Sequence, residues 1–168
     1  MISFSENADI FRKVVNLRNP KIVMESIEST TPVYTLSIAS TLSGIPVHSI
    51  RQYIDKGLII PFRKDSNRHL FSQVDILRLN YIEKLLTEDG LNIAGIRSIL
   101  ALIPCWSIRE CSAEERETCQ AFQSNTFPCW EASEKVTLCK NTNCKECEVY
   151  RIVENYPDLK TYFKTRLP

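Results

Sequence analysis

Apolar residues along this chain change their spacing at identifiable points, and each change predicts an element. Ala8, Phe11, Val14 and Val15 recur at helical spacing until Asn19-Pro20 interrupts them. Ser26 to Pro32 is rich in Ser and Thr and reads as a linker, so residues 1–33 form an arm. A short helix follows, capped by Thr35 or Ser37, with Leu36, Ala39 and Leu42 (or Ile38 and Leu42) as its inner face. Gly44 permits a tight turn and Pro46 suits the start of the next helix. That helix runs from about Val47 to Lys56 with Ile50, Tyr53 and Ile54 inward, and Gly57 ends it. Two helices joined by a Gly-containing turn are the unit that sets its second helix in a DNA major groove.

The pattern then turns to short extended stretches. Leu58-Ile59-Ile60 and His69-Leu70-Phe71 flank a polar tip, Pro61 to Arg68, in which Asp65-Ser66-Asn67 is a turn signal. This predicts a β-hairpin wing. Ser72 with Asp75 three residues on is a capping-box start, and Val74, Leu77, Tyr81 and Leu85 carry a helix to Gly90. Asn92 caps a fourth helix with Ile93, Ile96, Ile99, Leu100 and Ile103 on its buried side, closed by Pro104. A last helical segment is expected over 151–168, interrupted by Pro157.

Charge sharpens this picture. The chain of 168 residues carries a formal net charge of only +1, so DNA affinity has to come from a local patch. Residues 48–68 supply one: Arg51, Lys56, Arg63, Lys64 and Arg68 stand against Asp55 and Asp65, a net of +3. Residues 104–150 are acidic instead, at −3. No apolar run is long enough to span a bilayer, and Glu6 and Asp9 interrupt the start where a secretory signal needs an unbroken apolar core. The expectation is a cytoplasmic protein without membrane association, whose thiols stay reduced.

The stretch 34–103 resembles the DNA-binding domain of the MerR family. The matching residues are Tyr34-Thr35-Leu36, Ala39, Leu42-Ser43-Gly44-Ile45, Ile50-Arg51-Gln52-Tyr53, Gly57-Leu58, Pro61, Arg68-His69-Leu70-Phe71-Ser72 and Asp75. The resemblance implies a winged helix-turn-helix. Arg51 and Tyr53 would touch phosphates, His48, Ser49 and Gln52 would lie nearest the base edges, and Arg63 and Arg68 would serve the wing. Lys56, Lys64 and His69 complete the expected DNA-binding set; His69 stands where many relatives place arginine. The resemblance also implies a homodimer that distorts double-stranded promoter DNA and engages RNA polymerase indirectly. Such proteins commonly dimerise through a long helix after this domain, whereas Pro104 and Cys105 here begin a different module at once.

All seven cysteines fall in that module, at Cys105, Cys111, Cys119, Cys129, Cys139, Cys144 and Cys147. Two form Cys-Trp pairs, Cys105-Trp106 and Cys129-Trp130, and the whole pattern resembles the small two-Cys-Trp domains of bacterial sensors. An odd number argues against a closed set of disulfides. Large apolar side chains are sparse between Pro104 and Tyr150, and small domains with poor cores usually need a staple. A structural metal can contribute about 10–16 kcal/mol. With no histidine in the segment the ligands would be thiolates, Cys139, Cys144 and Cys147 foremost. Cys139-x4-Cys144-x2-Cys147 has the spacing of three plant-type ferredoxin ligands, while Cys144-x2-Cys147 equally suits a zinc knuckle. An iron–sulfur cluster is slightly favoured over zinc because redox chemistry gives a regulator a signal.

The expectation is therefore a mainly α protein: a winged helix-turn-helix over 34–103, a metal-stapled cysteine-rich module over 104–150, and a helical tail. It would be a transcription regulator whose module senses redox state or metal. Two rivals stand beside it: an architectural DNA binder with a purely structural zinc site, and a metal or electron carrier with a vestigial DNA fold. The module has no histidine base, and no Ser/His/Asp or Gly-rich phosphate motif occurs elsewhere, so no enzymatic activity is expected.

Overall fold

The computed structural model describes residues 28–64, 68–155 and 158–166. The helical spacing at Ala8 to Val15, the Asp65-Ser66-Asn67 tip and Pro157 lie outside the described residues. Strand β1 (Tyr34–Thr35) leads into α1 (Leu36–Ser43). Thr35 caps α1 by accepting the Ile38 N–H, and Gly44, at φ 73°, ends it in the left-handed conformation that glycine adopts without penalty. Helix α2 (Val47–Asp55) follows from Pro46.

The inner face of α1 differs from the expected one. Ala39 is fully buried, but Ile38 and Leu42 are each 45% exposed. Ser40 and Ser43 take inward-side positions because each hydroxyl finds a backbone acceptor, Ile45 O at 2.6 Å and Ala39 O at 2.8 Å. A polar residue that bonds the main chain escapes the desolvation penalty that hydropathy assigns to it.

The wing is also built differently. Its strands are β2 (Phe62–Arg63) and β3 (His69–Phe71), and β1 adds to the far side of β3, giving an antiparallel sheet of order β1-β3-β2. Leu58-Ile59-Ile60 is not a strand. Leu58 and Ile59 are both buried, which an alternating strand on one sheet face would not allow, and the Ile60 N–H donates to the Tyr150 hydroxyl at 3.0 Å.

Helix α3 (Gln73–Thr87) carries the expected capping box between Ser72 and Asp75, and α4 (Ile93–Ala101) is capped by Asn92. The cysteine-rich segment is a chain of short pieces: α5 (Cys105–Ile108), α6 (Ala113–Thr118), α7 (Gln120–Gln123), a 3-10 turn at Cys129–Glu131, and α8 (Thr137–Lys140). Helix α9 (Glu148–Asn155) packs on α3, and α10 (Leu159–Arg166) ends the described chain. No helix among the described residues is long and apolar enough to cross a membrane.

One apolar core joins the two halves. Trp130, Val149, Tyr150 and Ile152 share it with Ile50, Tyr53, Leu58, Phe71, Leu79 and Ile96. The cysteine segment keeps only a small cluster of its own, around Cys119, Ala121, Ala132 and Val136. A segment so poor in large apolar residues gains most of its burial by leaning on its neighbour.

Candidate nucleic-acid interface and cysteine cavity

Helix α2 is two-sided. Ile50 and Tyr53 point into the core, while His48, Arg51, Gln52 and Lys56 are exposed and Ser49 is half-buried. Tyr53 is only 4% exposed, and its hydroxyl donates to Glu83 Oε2 of α3 at 3.0 Å. Burial and the Glu83 carboxylate push this phenol up to about 12. Tyr53 is thus first a strut holding α2 on α3.

The wing presents Arg63, Lys64 and Arg68, all exposed. Arg63 pairs with His69 across the β2–β3 ladder, and the Lys64 N–H donates to the Arg68 carbonyl at 3.1 Å. Burial lowers the His69 imidazole, with Arg63 lowering it further; Asp55 and Arg51 also act on it, the first raising and the second lowering. The outer side of α2 and the root of the wing therefore lie within electrostatic reach of each other. Both elements present exposed cations.

All seven cysteines line a single cavity of about 40 Å³, and every one is a free thiol. Glu110, at φ 52°, is the one non-glycine residue with a left-handed backbone among the described residues, and it turns the chain between Cys105 and Cys111. Hydrogen bonding from Cys129 lowers the Cys105 thiol, while the same bond, burial and the nearby Cys105, Cys147 and Cys144 raise Cys129. Lys135 Nζ lies 3.5 Å from Cys144 Sγ. Among the described residues, no three His, Cys, Asp or Glu side chains are gathered into a site for one metal ion. Among the described residues the lining includes Arg109, Arg116 and Lys135 and no carboxylate.

Between the cation-bearing elements and the cavity lies a buried polar network. The Trp130 indole N–H donates to the Gly57 carbonyl at 2.8 Å, at the turn that ends α2. The Tyr150 hydroxyl accepts from Ile60 N–H and donates to Asp75 Oδ1, each at 3.0 Å. Arg78 is fully buried, its guanidinium 3.9 Å from the Tyr150 ring centroid and 4.6 Å from that of Trp130. One Arg78 nitrogen donates to the Tyr150 carbonyl, while Nε and Nη1 have no hydrogen-bond partner among the described residues. Burial pulls this guanidinium below its ordinary value, and Tyr150, Asp75, Cys129 and Tyr81 act in the opposite direction. Arg97–Glu131 at 2.7 Å and Lys145–Asp75 at 3.1 Å complete the contact.

Sequence reasoning did not single out Arg78, Tyr150, Glu83 or Gly57's role in this contact. The signal for Arg78 was present: a charge four residues after Val74, on the helix stripe that faces the core.

Gly57 gives a direct test of the contact. Its φ is 68°, and an added Cβ would meet the Glu131 carboxylate at 1.5 Å. Gly57→Ala is expected to cost about 1–2 kcal/mol for the left-handed backbone alone, and more as Glu131 is driven off Arg97. Urea denaturation should show a loss larger than this backbone cost; a loss confined to it would place Glu131 elsewhere.

Comparison with known proteins agrees with this architecture. Residues 34–103 match the family described as "MerR HTH family regulatory protein". Over 85 residues the chain is 38% identical to a protein named "Putative heat shock protein HspR" of Streptomyces coelicolor, spanning 51% of this chain and 54% of that one. Over 79 residues it is 34% identical to the "HTH-type transcriptional regulator GlnR" of Bacillus anthracis and of Bacillus cereus, spanning 47% of this chain and 60% of theirs. The chain thus covers little more than half the length of these relatives.

Proposed function

We propose that this chain, whose residues 34–103 are a MerR-type helix-turn-helix domain, is a sequence-specific regulator of transcription with its cysteine cavity as effector site. The observation that supports the DNA-binding part is the set of exposed cations on α2 and the wing. His48, Ser49 and Gln52 lie at the base edges, each good bidentate contact worth about 1–3 kcal/mol of discrimination. Arg51, Lys56, Arg63, Lys64 and Arg68 neutralise phosphates, with His69 bracing the wing through its pairing with Arg63. Tyr53 contributes by fixing the angle of α2. The protein acts as a homodimer on a two-fold promoter site, so that each half-site receives one α2.

The effector part is supported by where the module docks. Trp130 directly follows Cys129 and holds Gly57, the residue that ends α2; Tyr150 follows Cys147 by three residues and holds Ile60, at the root of the wing. A metal, cluster or oxidation state that moves Cys129 or Cys147 therefore acts on the groups that aim both DNA-contacting elements. Sensing works here by biasing the position of α2 and wing, which requires that the two states of the module differ in their contacts at Gly57 and Ile60.

Fluorescence anisotropy with the chain's own promoter region, against scrambled DNA of equal length, tests the DNA-binding part. Wild type should prefer the promoter, and Arg51→Ala should weaken binding about 10-fold, the equivalent of roughly 1.4 kcal/mol. Equal affinity for both DNAs, or indifference to Arg51→Ala, refutes this assignment of α2.

A further inference from the structure

The cysteine cavity has a lining that narrows what it can hold. Among the described residues its metal-ligating side chains are thiols alone, which suit soft centres such as iron–sulfur clusters, zinc and copper(I). Among the described residues no three potential ligands converge on a single-ion position. The thiols ring an open space instead. About 40 Å³ is several times the ~10–15 Å³ that one water requires, which is room for a group of several atoms.

Charge points the same way. Among the described residues, Arg109, Arg116 and Lys135 line the cavity without a carboxylate, and Arg109 Nε is buried with no hydrogen-bond partner. One layer behind, Arg78 is wholly buried with two nitrogens likewise without one. Of the groups that act on it, the carboxylate of Asp75 already faces Lys145 at 3.1 Å. An isolated buried cation is costly, so this wall is built for an anionic occupant.

We propose that Cys105, Cys129, Cys144 and Cys147 hold an iron–sulfur cluster in this cavity, with Arg78, Arg109, Arg116 and Lys135 balancing its negative charge. The four are chosen because they are the cysteines of the cavity wall that pack against the main core. Each Cys-Trp pair supplies one ligand and the Cys144-x2-Cys147 turn supplies two. Trp130 and Tyr150 then separate the cluster from Arg78, and Cys111, Cys119 and Cys139 line the cavity without ligating. The assignment deepens the effector-site reading, on which its purpose rests, but its own test does not pass through DNA.

The full chain, purified without oxygen, should contain iron and acid-labile sulfide in roughly equal amounts, with the visible absorption of a cluster. Alkylation of this holoprotein followed by mass spectrometry should leave Cys105, Cys129, Cys144 and Cys147 protected and Cys111 and Cys139 labelled. That experiment needs no variant and so does not depend on one folding. Cys129→Ser should lose iron and sulfide, while Cys119→Ser should keep both. Zinc without sulfide, a folded metal-free protein, or protection of Cys111 and Cys139 in place of the named four would each overturn the proposal. Promoter affinity before and after cluster removal separates the two readings. A cluster whose loss leaves affinity unchanged upholds the site and refutes the effector role; zinc whose removal changes affinity does the opposite.

Discussion

Replacing Asp75 by alanine should lower the unfolding free energy by about 3–5 kcal/mol, the cost of leaving buried charges without their partner. Asp75 is wholly buried. Its Oδ2 accepts the Ser72 N–H at 2.8 Å and the Ser72 hydroxyl at 2.9 Å and faces Lys145 at 3.1 Å; its Oδ1 takes the Tyr150 hydroxyl at 3.0 Å. The same carboxylate therefore caps α3 and ties the cysteine segment to it. Alanine removes the cap, strands the buried ends of Tyr150 and Lys145, and takes away a negative charge that acts on Arg78. Urea denaturation followed by tryptophan fluorescence measures it well, because Trp130 sits on the Arg78 guanidinium. A loss below about 1 kcal/mol, the scale of an ordinary N-cap, would mean that Asp75 acts as a cap alone.

The second large effect is on DNA binding. Five cationic side chains, Arg51, Lys56, Arg63, Lys64 and Arg68, are exposed on α2 and the wing. A dimer placing three to five of them per protomer on phosphates neutralises about 6–10 phosphates, and its affinity falls by about 10³–10⁵ between 50 and 200 mM salt. The slope of log affinity against log salt should lie between about −5 and −9. Lys64→Ala should flatten that slope by about one for each phosphate it leaves unneutralised, with little change in preference between DNA sequences. Anisotropy titrations at four salt concentrations give the slope. A value shallower than about −2 would mean that the wing cations do not reach the backbone.

The helix-turn-helix was legible in the sequence because its determinants are local. Thr35, Gly44, Ser72 and Asn92 act on backbone within four residues, and each occupies the cap that its residue type predicts. The side of α2 facing out was legible for the same reason: Ile50 and Tyr53 mark the inner face by spacing alone. Residue type misled where a partner lay far off in sequence. Leu58-Ile59-Ile60 reads as a strand, yet Ile60 gives its N–H to Tyr150, ninety residues on. Residue type also misled locally: Ile38 and Leu42 read as core, yet two serines with backbone acceptors four and five residues away take the inner side of α1.

By itself, then, the order of residues determined the caps, the helix periods, the concentration of positive charge over 48–68 and the confinement of every thiol to one segment. These depend on neighbours a few positions apart, where chain geometry leaves little choice. Tertiary structure alone decided that the thiols share one cavity, that Arg78 lies buried between Trp130 and Tyr150, and that this sandwich touches the end of α2 and the root of the wing. Those juxtapositions arise because the cysteine segment has too few large apolar side chains to bury itself. It completes its core on α3, the helix that also holds α2 through the Tyr53–Glu83 bond.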